Sequence, residues 1–189
     1  MTSALVIVAH PDDETIWMGG FILKHKDWNW NIISLCRKND SDRAPKFYKV
    51  CKILKAQCKM DNMEDDKLNP LDIKEVKKFI INLTPNKKYD YIFTHNSNGE
   101  YGHIRHKETH KAVLELIKER KLNSENLFFF DYLLVDKKII AKLKTDKLIK
   151  LNSTLFSKKK QIIEEIYGFA PDSFESISCQ KTETFEKQK

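Results

Sequence analysis

Residues 3–9, SALVIVA, form an unbroken β-prone apolar run. A strand that is apolar at every position needs cover on both faces, the pattern of a central strand in a parallel sheet. Helical spacing follows from Thr15 to Lys26, with Ile16, Phe21, Ile22 and Leu23 as apolar positions, and WNIISLC at 30–36 is a second strand-like run. Across 43–58, Phe47, Val50, Cys51 and Leu54 fall at i, i+3, i+4 and i+7, which predicts a helix. An acidic, polar connection from Asp61 to Asn69 leads to a helix over about 71–83, and YDYIFT at 89–94 reads as a short strand. The polar loop from His95 to Gly102 precedes a helix over about 104–121, and LFFFDYLLV at 127–135 is again β-like. Beyond it, 138–151 reads as one or two short strands and 154–167 as a helix. Strands alternating with helices imply βαβ units and a three-layer α/β fold with a mostly parallel sheet. No repeat or interdomain linker is evident. The expectation is one domain across 1–189, with the polar residues from about 178 onward an exposed tail.

Scarce residues narrow the function. The five glycines stand at 19, 20, 99, 102 and 168, so neither GxGxxG nor GxxxxGK can be written, and glycine-loop nucleotide binding is excluded. A 41% hydrophobic content excludes a disordered chain. The net charge of +7 comes almost wholly from lysine, since only Arg37, Arg43, Arg105 and Arg120 are arginine. Readers of nucleic-acid sequence lean on arginine forks, so a lysine excess interleaved with acids reads as a solvated surface and no specific nucleic acid is expected. Cys36, Cys51, Cys58 and Cys179 form no CxxC and suggest no disulfide framework. The first apolar run is too short for a signal peptide, and no run reaches the ~18–20 apolar residues of a membrane span. The expectation is a reduced, cytoplasmic protein.

Two loops carry the chemistry. The first strand ends in His10-Pro11-Asp12-Asp13-Glu14, one imidazole and three carboxylates where α/β sheets gather their ligands. A histidine and a carboxylate three residues apart make a pair of metal ligands, and the neighbouring aspartate is then free to take a proton from water. The same carboxylates also suit a helix start, with Asp12 or Asp13 as N-cap and Glu14 in the first turn. The second loop, Asn98 to His106, follows a later strand and rises from the same sheet edge. His103 and His106 stand at i, i+3 with glycines beside them, a ligand spacing. His25 and His110 read as structural, and His95 as structural or as a partner to a ligand. Together the loops point to a mononuclear metal site.

AHPDDE at 9–14 followed by Gly19-Gly20, and EYGHIRH at 100–106, resemble the LmbE-like, or PIG-L, family of zinc-dependent de-N-acetylases. Arg43, in DRAPKF, resembles the family's arginine at the start of the second helix, and the resemblance covers roughly residues 1–120. It implies a Rossmann-like α/β/α fold with Zn²⁺ held by His10, Asp13 and His106 and water in the open position. Asp12 would be the general base, and His103 would stabilise the oxyanion and protonate the leaving amine. Fe²⁺ fits the same His₂Asp set, which selects weakly between the two metals. Ile104 and Arg105 stand where the family often has Pro-Asp, so Arg105 joins Arg43 and Tyr101 as an expected substrate contact, with Arg37 a further candidate. The implied reaction removes an N-acetyl group from a small amino-sugar substrate such as an N-acetylglucosamine conjugate. Two alternatives stay open: an amidase of a sugar–thiol conjugate on the same site, and a non-catalytic metal-containing binding module whose Lys-rich surface meets a polyanion. Asp12 separates them, because a binding module needs no acid beside its metal. A homo-oligomer stays open as well.

Overall fold

The computed structural model describes residues 1–189. In chain order the elements are β1 (Ser3–Val8), α1 (Asp13–Lys24), β2 (Asn29–Cys36), α2 (Arg43–Leu54), β3 (Gln57–Met63), α3 (Ile73–Leu83) and β4 (Lys88–Thr94). A one-turn helix α4 (Gly99–Gly102), α5 (Ile104–Lys118), β5 (Asn123–Phe130), β6 (Tyr132–Val135), β7 (Lys138–Ala141) and β8 (Lys147–Lys150) follow. The chain closes with α6 (Ser153–Gln161), a π-helical turn (Ile162–Ile166), α7 (Phe174–Ser178) and β9 (Thr182–Lys187).

Seven strands form one sheet in the order β3-β2-β1-β4-β5-β9-β8. The first five are parallel, β9 runs antiparallel to β5, and β8 antiparallel to β9. β6 and β7 form a separate hairpin. β1 shows why its run is unbroken. Ala4, Val6 and Val8 enter one core with Trp17, Phe21, Phe47 and Ile163, whereas Leu5 and Ile7 enter a second with Val76, Ile80, Val113 and Leu116. Helices therefore cover both faces, as the three-layer expectation requires. From β1 the chain moves outward to β2 and β3, then returns to the other side of β1 as β4. The crevice between the carboxyl ends of β1 and β4 is thus the switch point, where ligands bind in such sheets. No helix is long and apolar enough to cross a membrane.

Three stretches differ from expectation. The helix expected to reach 58 ends at Leu54, and Gln57–Met63 is the edge strand β3. Its register slips opposite Ser34 to Cys36, so the buried Met60 and Met63 break the period of two and disguise it. The run 127–135 divides at Asp131, where the chain leaves the main sheet for the hairpin. The expected exposed tail is instead β9, inserted between β5 and β8 with Glu183, Thr184 and Phe185 wholly buried. Glu183 pairs with the equally buried Lys159 at 2.8 Å and accepts the amides of Gly20 (2.8 Å) and Phe21 (2.7 Å) inside α1. Gly20 also lets Leu151 pack directly on α1, since a Cβ there would lie 2.3 Å from a Leu151 methyl. Gly19 and Gly20 therefore serve helix packing, whereas Gly99 and Gly102 take positive φ (65° and 97°) in the loop after β4.

Candidate metal centre

Three donor atoms meet at the switch point. His10 Nδ1 lies 3.2 Å from Asp13 Oδ2 and 3.2 Å from His106 Nε2, and His106 Nε2 lies 3.4 Å from Asp13 Oδ2. A tetrahedral ion with bonds of about 2.0–2.1 Å spaces its ligands roughly 3.3 Å apart, so a zinc-sized ion fits this triangle.

Hydrogen-bond partners hold each ring in the tautomer such a site needs. His10 Nε2 donates to Asp65 Oδ1 (3.0 Å), which leaves Nδ1 with a free lone pair. His106 Nδ1 donates to Glu100 Oε2 (2.6 Å) and leaves Nε2 free. Carboxylate–histidine pairs of this kind orient metal-binding imidazoles. His95 is different: its Nε2 accepts the amide of Ala9 (3.0 Å) and its Nδ1 donates to Glu100 (2.9 Å), so both nitrogens are engaged. It stacks on His106 at 3.7 Å between centroids and supports that ring. His110 Nδ1 in turn donates to the carbonyl of His95 (3.0 Å), a structural role as expected.

The two adjacent aspartates sit in opposite fields. Burial works to raise the Asp13 carboxyl, but the surrounding imidazoles of His106, His95 and His10 hold it well below the usual range. Its second oxygen accepts from Trp17 Nε1 (2.8 Å). Burial and the neighbouring Asp13 push Asp12 well above the usual range, against the pull of Arg43. Arg43 Nη1 donates to Asp12 Oδ2 (2.7 Å) while its guanidinium stacks on Phe169, 4.2 Å from the ring centroid. Asp12 stands at the N-cap of α1 with Asp13 and Glu14 in the first turn, as the helix-start reading has it, but at φ 115° its side chain makes no cap bond, so capping does not account for its carboxylate. Glu14 holds that backbone, accepting the Asp12 amide (3.0 Å), the Thr15 hydroxyl (2.6 Å) and the Tyr167 hydroxyl (2.9 Å). Burial raises Glu14 to about 7.

His103 is the N-cap of α5, and its Nδ1 accepts the amide of Arg105 (3.3 Å), so the neutral ring carries its proton on Nε2. Burial and the rings of His106 and His10 bring it down to about 4. A cavity of about 260 Å³ opens over these groups, with Trp17, Tyr101, Arg37, Arg43, Phe174 and Glu175 in its wall. It is smaller than the roughly 300–1,000 Å³ of most ligand sites, so it receives only the part of a ligand next to the donors.

His10, Asp12, Asp13, His103, His106, Tyr101 and Arg43 are thus brought together, but Arg105 is not. It is fully buried against Glu64 and Glu108 and does not line the cavity over the donors, which corrects the expected substrate contact. Sequence reasoning missed Asp65, because it lay in what read as a polar connection. With β3 recognised as a strand, the loop holding Asp65 becomes a third strand-end loop. Phe169, Phe174 and Glu175 come from a region with no motif at all.

The fold and site together define an α/β protein with a cluster of histidine and carboxylate donors, spaced as metal ligands would be, at the switch point of its sheet. The chain belongs to the PIG-L family: residues 5–117 match the family described as GlcNAc-PI de-N-acetylase. An uncharacterized protein of Acanthamoeba polyphaga mimivirus is 30% identical, over 78% of this chain and 74% of its own length. Among solved structures, an N,N'-diacetylchitobiose deacetylase from Pyrococcus horikoshii aligns over 99% of this chain and 84% of its own, with TM-score 0.73 and 16% identity. A zinc-inhibited form of teicoplanin deacetylase aligns over 92% and 89%, with TM-score 0.63 and 11% identity. A 4-carboxy-2-hydroxymuconate hydratase from Pseudomonas putida aligns over 99% and 96%, with TM-score 0.63 and 14% identity. The architecture is therefore shared by different chemistries, and the reaction has to be argued from the site.

Proposed function

We propose that this chain is a metal-dependent hydrolase that removes an N-acetyl group from an amino sugar, with His10, Asp13 and His106 as the metal ligands. One observation carries the reading: beside a three-donor triangle lies a second acidic group, Asp12, braced by Arg43 and Glu14 and making no side-chain cap bond. A purely structural site has no use for it. When bound, zinc or ferrous ion supplies Lewis acidity, polarising an acyl carbonyl and acidifying water.

The chain's residues do the rest. Asp12 takes a proton from the attacking water, and burial beside Asp13 raises its affinity for that proton. His103 donates from Nε2 to the oxygen on which negative charge develops. The proton held by Asp12 is then available to the departing nitrogen as the C–N bond breaks. The resemblance also gives that last donation to His103, but this needs a charged ring, and burial beside His106 and His10 opposes the charge. Tyr101 and Phe174 offer aromatic faces to a sugar, and Arg37 and Glu175 offer polar contacts.

The test is acetate release from a panel of N-acetylglucosamine conjugates, before and after chelation and after zinc is restored. Activity lost on chelation, recovered with zinc and absent in Asp12→Asn supports the reading. Chelator-insensitive release, or release retained by Asp12→Asn, overturns it.

A further inference from the structure

Arg105 is among the largest fully buried side chains in the molecule, and no step of the proposed reaction uses it. It lies beside the segment 64–72, which joins β3 to α3 with no helix or strand of its own. That segment takes its shape from what holds it, and Arg105 holds it at two points. Nε donates to the carbonyl of Glu64 (2.5 Å), and Nη2 donates to Glu64 Oε2 (2.5 Å) and to the carbonyl of Asn69 (3.0 Å). Nη1 donates to Glu108 Oε2 on the same helix (2.6 Å), and Glu108 Oε1 accepts the amide of Leu71 (2.7 Å). Glu64 Oε1 meanwhile accepts the amides of Asp66 (2.8 Å) and Lys67 (2.5 Å). The backbone on both sides of Asp65 is therefore pinned to α5.

Asp65 is the residue that matters there. It accepts from His10 Nε2 (3.0 Å) through one oxygen and from Arg37 Nη2 (2.6 Å) through the other. We propose that Arg105 is a positioning residue for the metal site: by clamping 64–71 onto α5 it places Asp65, and Asp65 fixes the tautomer and angle of His10. The inference rests on the proposed metal site. A planar fork is required for the clamp, because it meets four acceptors in different directions, whereas a lysine offers one point charge. The same fork turns a helix position next to His106 into a link between two ligands that stand 96 residues apart in the chain.

The experiment measures zinc affinity by competition with a chromophoric chelator, and in parallel the Tm of the metal-free protein. Arg105→Met and Arg105→Lys are each compared with Asp65→Ala and with the corresponding double variants. Removal of a partner to a metal ligand weakens binding about 10–100-fold, and that loss is expected for both Arg105 variants. Combined with Asp65→Ala, either one should add less than threefold, because both act through the same contact. A merely structural arginine would lower the Tm of the metal-free protein and leave zinc affinity within threefold, or its effect would multiply with that of Asp65→Ala. Either result overturns the proposal. If Arg105→Met fails to fold, with Glu108 left buried and unpaired, Arg105→Lys decides alone, since it keeps a charge beside Glu108 and Glu64. Wild-type protein that binds no zinc would instead refute the metal site itself, so the two failures are distinct.

Discussion

Asp12 occupies φ 115° and ψ −32°, where residues with a Cβ are seldom found. Holding a side chain in such a region costs on the order of 1–3 kcal/mol, and functional sites are where that strain is kept. Two substitutions separate the strain from the chemistry. Asp12→Ala removes the carboxylate and keeps the Cβ, whereas Asp12→Gly removes both. Each loses the contact with Arg43, whose side chain is 28% exposed, so that loss cancels between them. Glycine gives back about 0.4–1 kcal/mol through its freer unfolded chain. The glycine variant should therefore be the more stable of the two by about 1 kcal/mol, or ~2–4 °C in Tm for a chain of this length. Thermal and urea melts of the metal-free proteins read the difference, and acetate release reads the chemistry. Both variants should be inactive. An alanine variant as stable as the glycine variant would refute the reasoning, because Asp12 would then not be held in an imposed conformation by Glu14 and its neighbours.

Other outcomes follow from the same contacts. Glu100→Gln removes the charge that receives both His106 and His95, and zinc binding should weaken about 10–100-fold in a chelator competition; unchanged affinity would mean that the carboxylate does not orient His106. Phe174→Ala removes a wall of the cavity that packs on Tyr101 at 4.8 Å, away from the donor triangle, so KM should rise with kcat within about twofold. A fall in kcat alone would contradict that placement. Deleting 182–189 strips Phe185 from the core and leaves Lys159 buried without Glu183, a loss of about 3–5 kcal/mol for the broken pair alone. The truncated chain should be insoluble or unfolded by circular dichroism, whereas a dispensable tail would leave the melt unchanged.

Local signals in the sequence make the geometry of one sheet edge legible. SALVIVA could only be a doubly covered strand, and the two loops following β1 and β4 are neighbours because those strands pair directly. That pairing makes the meeting of His10, Asp13, His103 and His106 at one edge legible, whereas the choice of His10, Asp13 and His106 as ligands rests on the family resemblance. What escaped was everything that depends on tertiary partners. β3 hid behind a slipped register, and with it Asp65. β9 hid because TETFEK looks solvated, yet Glu183 is buried by pairing with Lys159, a residue 24 positions earlier on another element. Arg105 followed the same logic in reverse. A charged residue in a ligand motif suggested substrate, but its charge is spent on Glu64 and Glu108 inside the protein. Periodicity reports which face is buried, and it is silent when burial is achieved by pairing charges.

The most direct test of the account is anomalous scattering at the zinc edge from crystals of zinc-loaded protein. A single peak bounded by His10 Nδ1, Asp13 Oδ2 and His106 Nε2, with one position open toward the cavity and Asp12 unligated, is the predicted result. A peak at Cys36 and Asp65 instead, or an ion closed off by a fourth protein ligand, would contradict it.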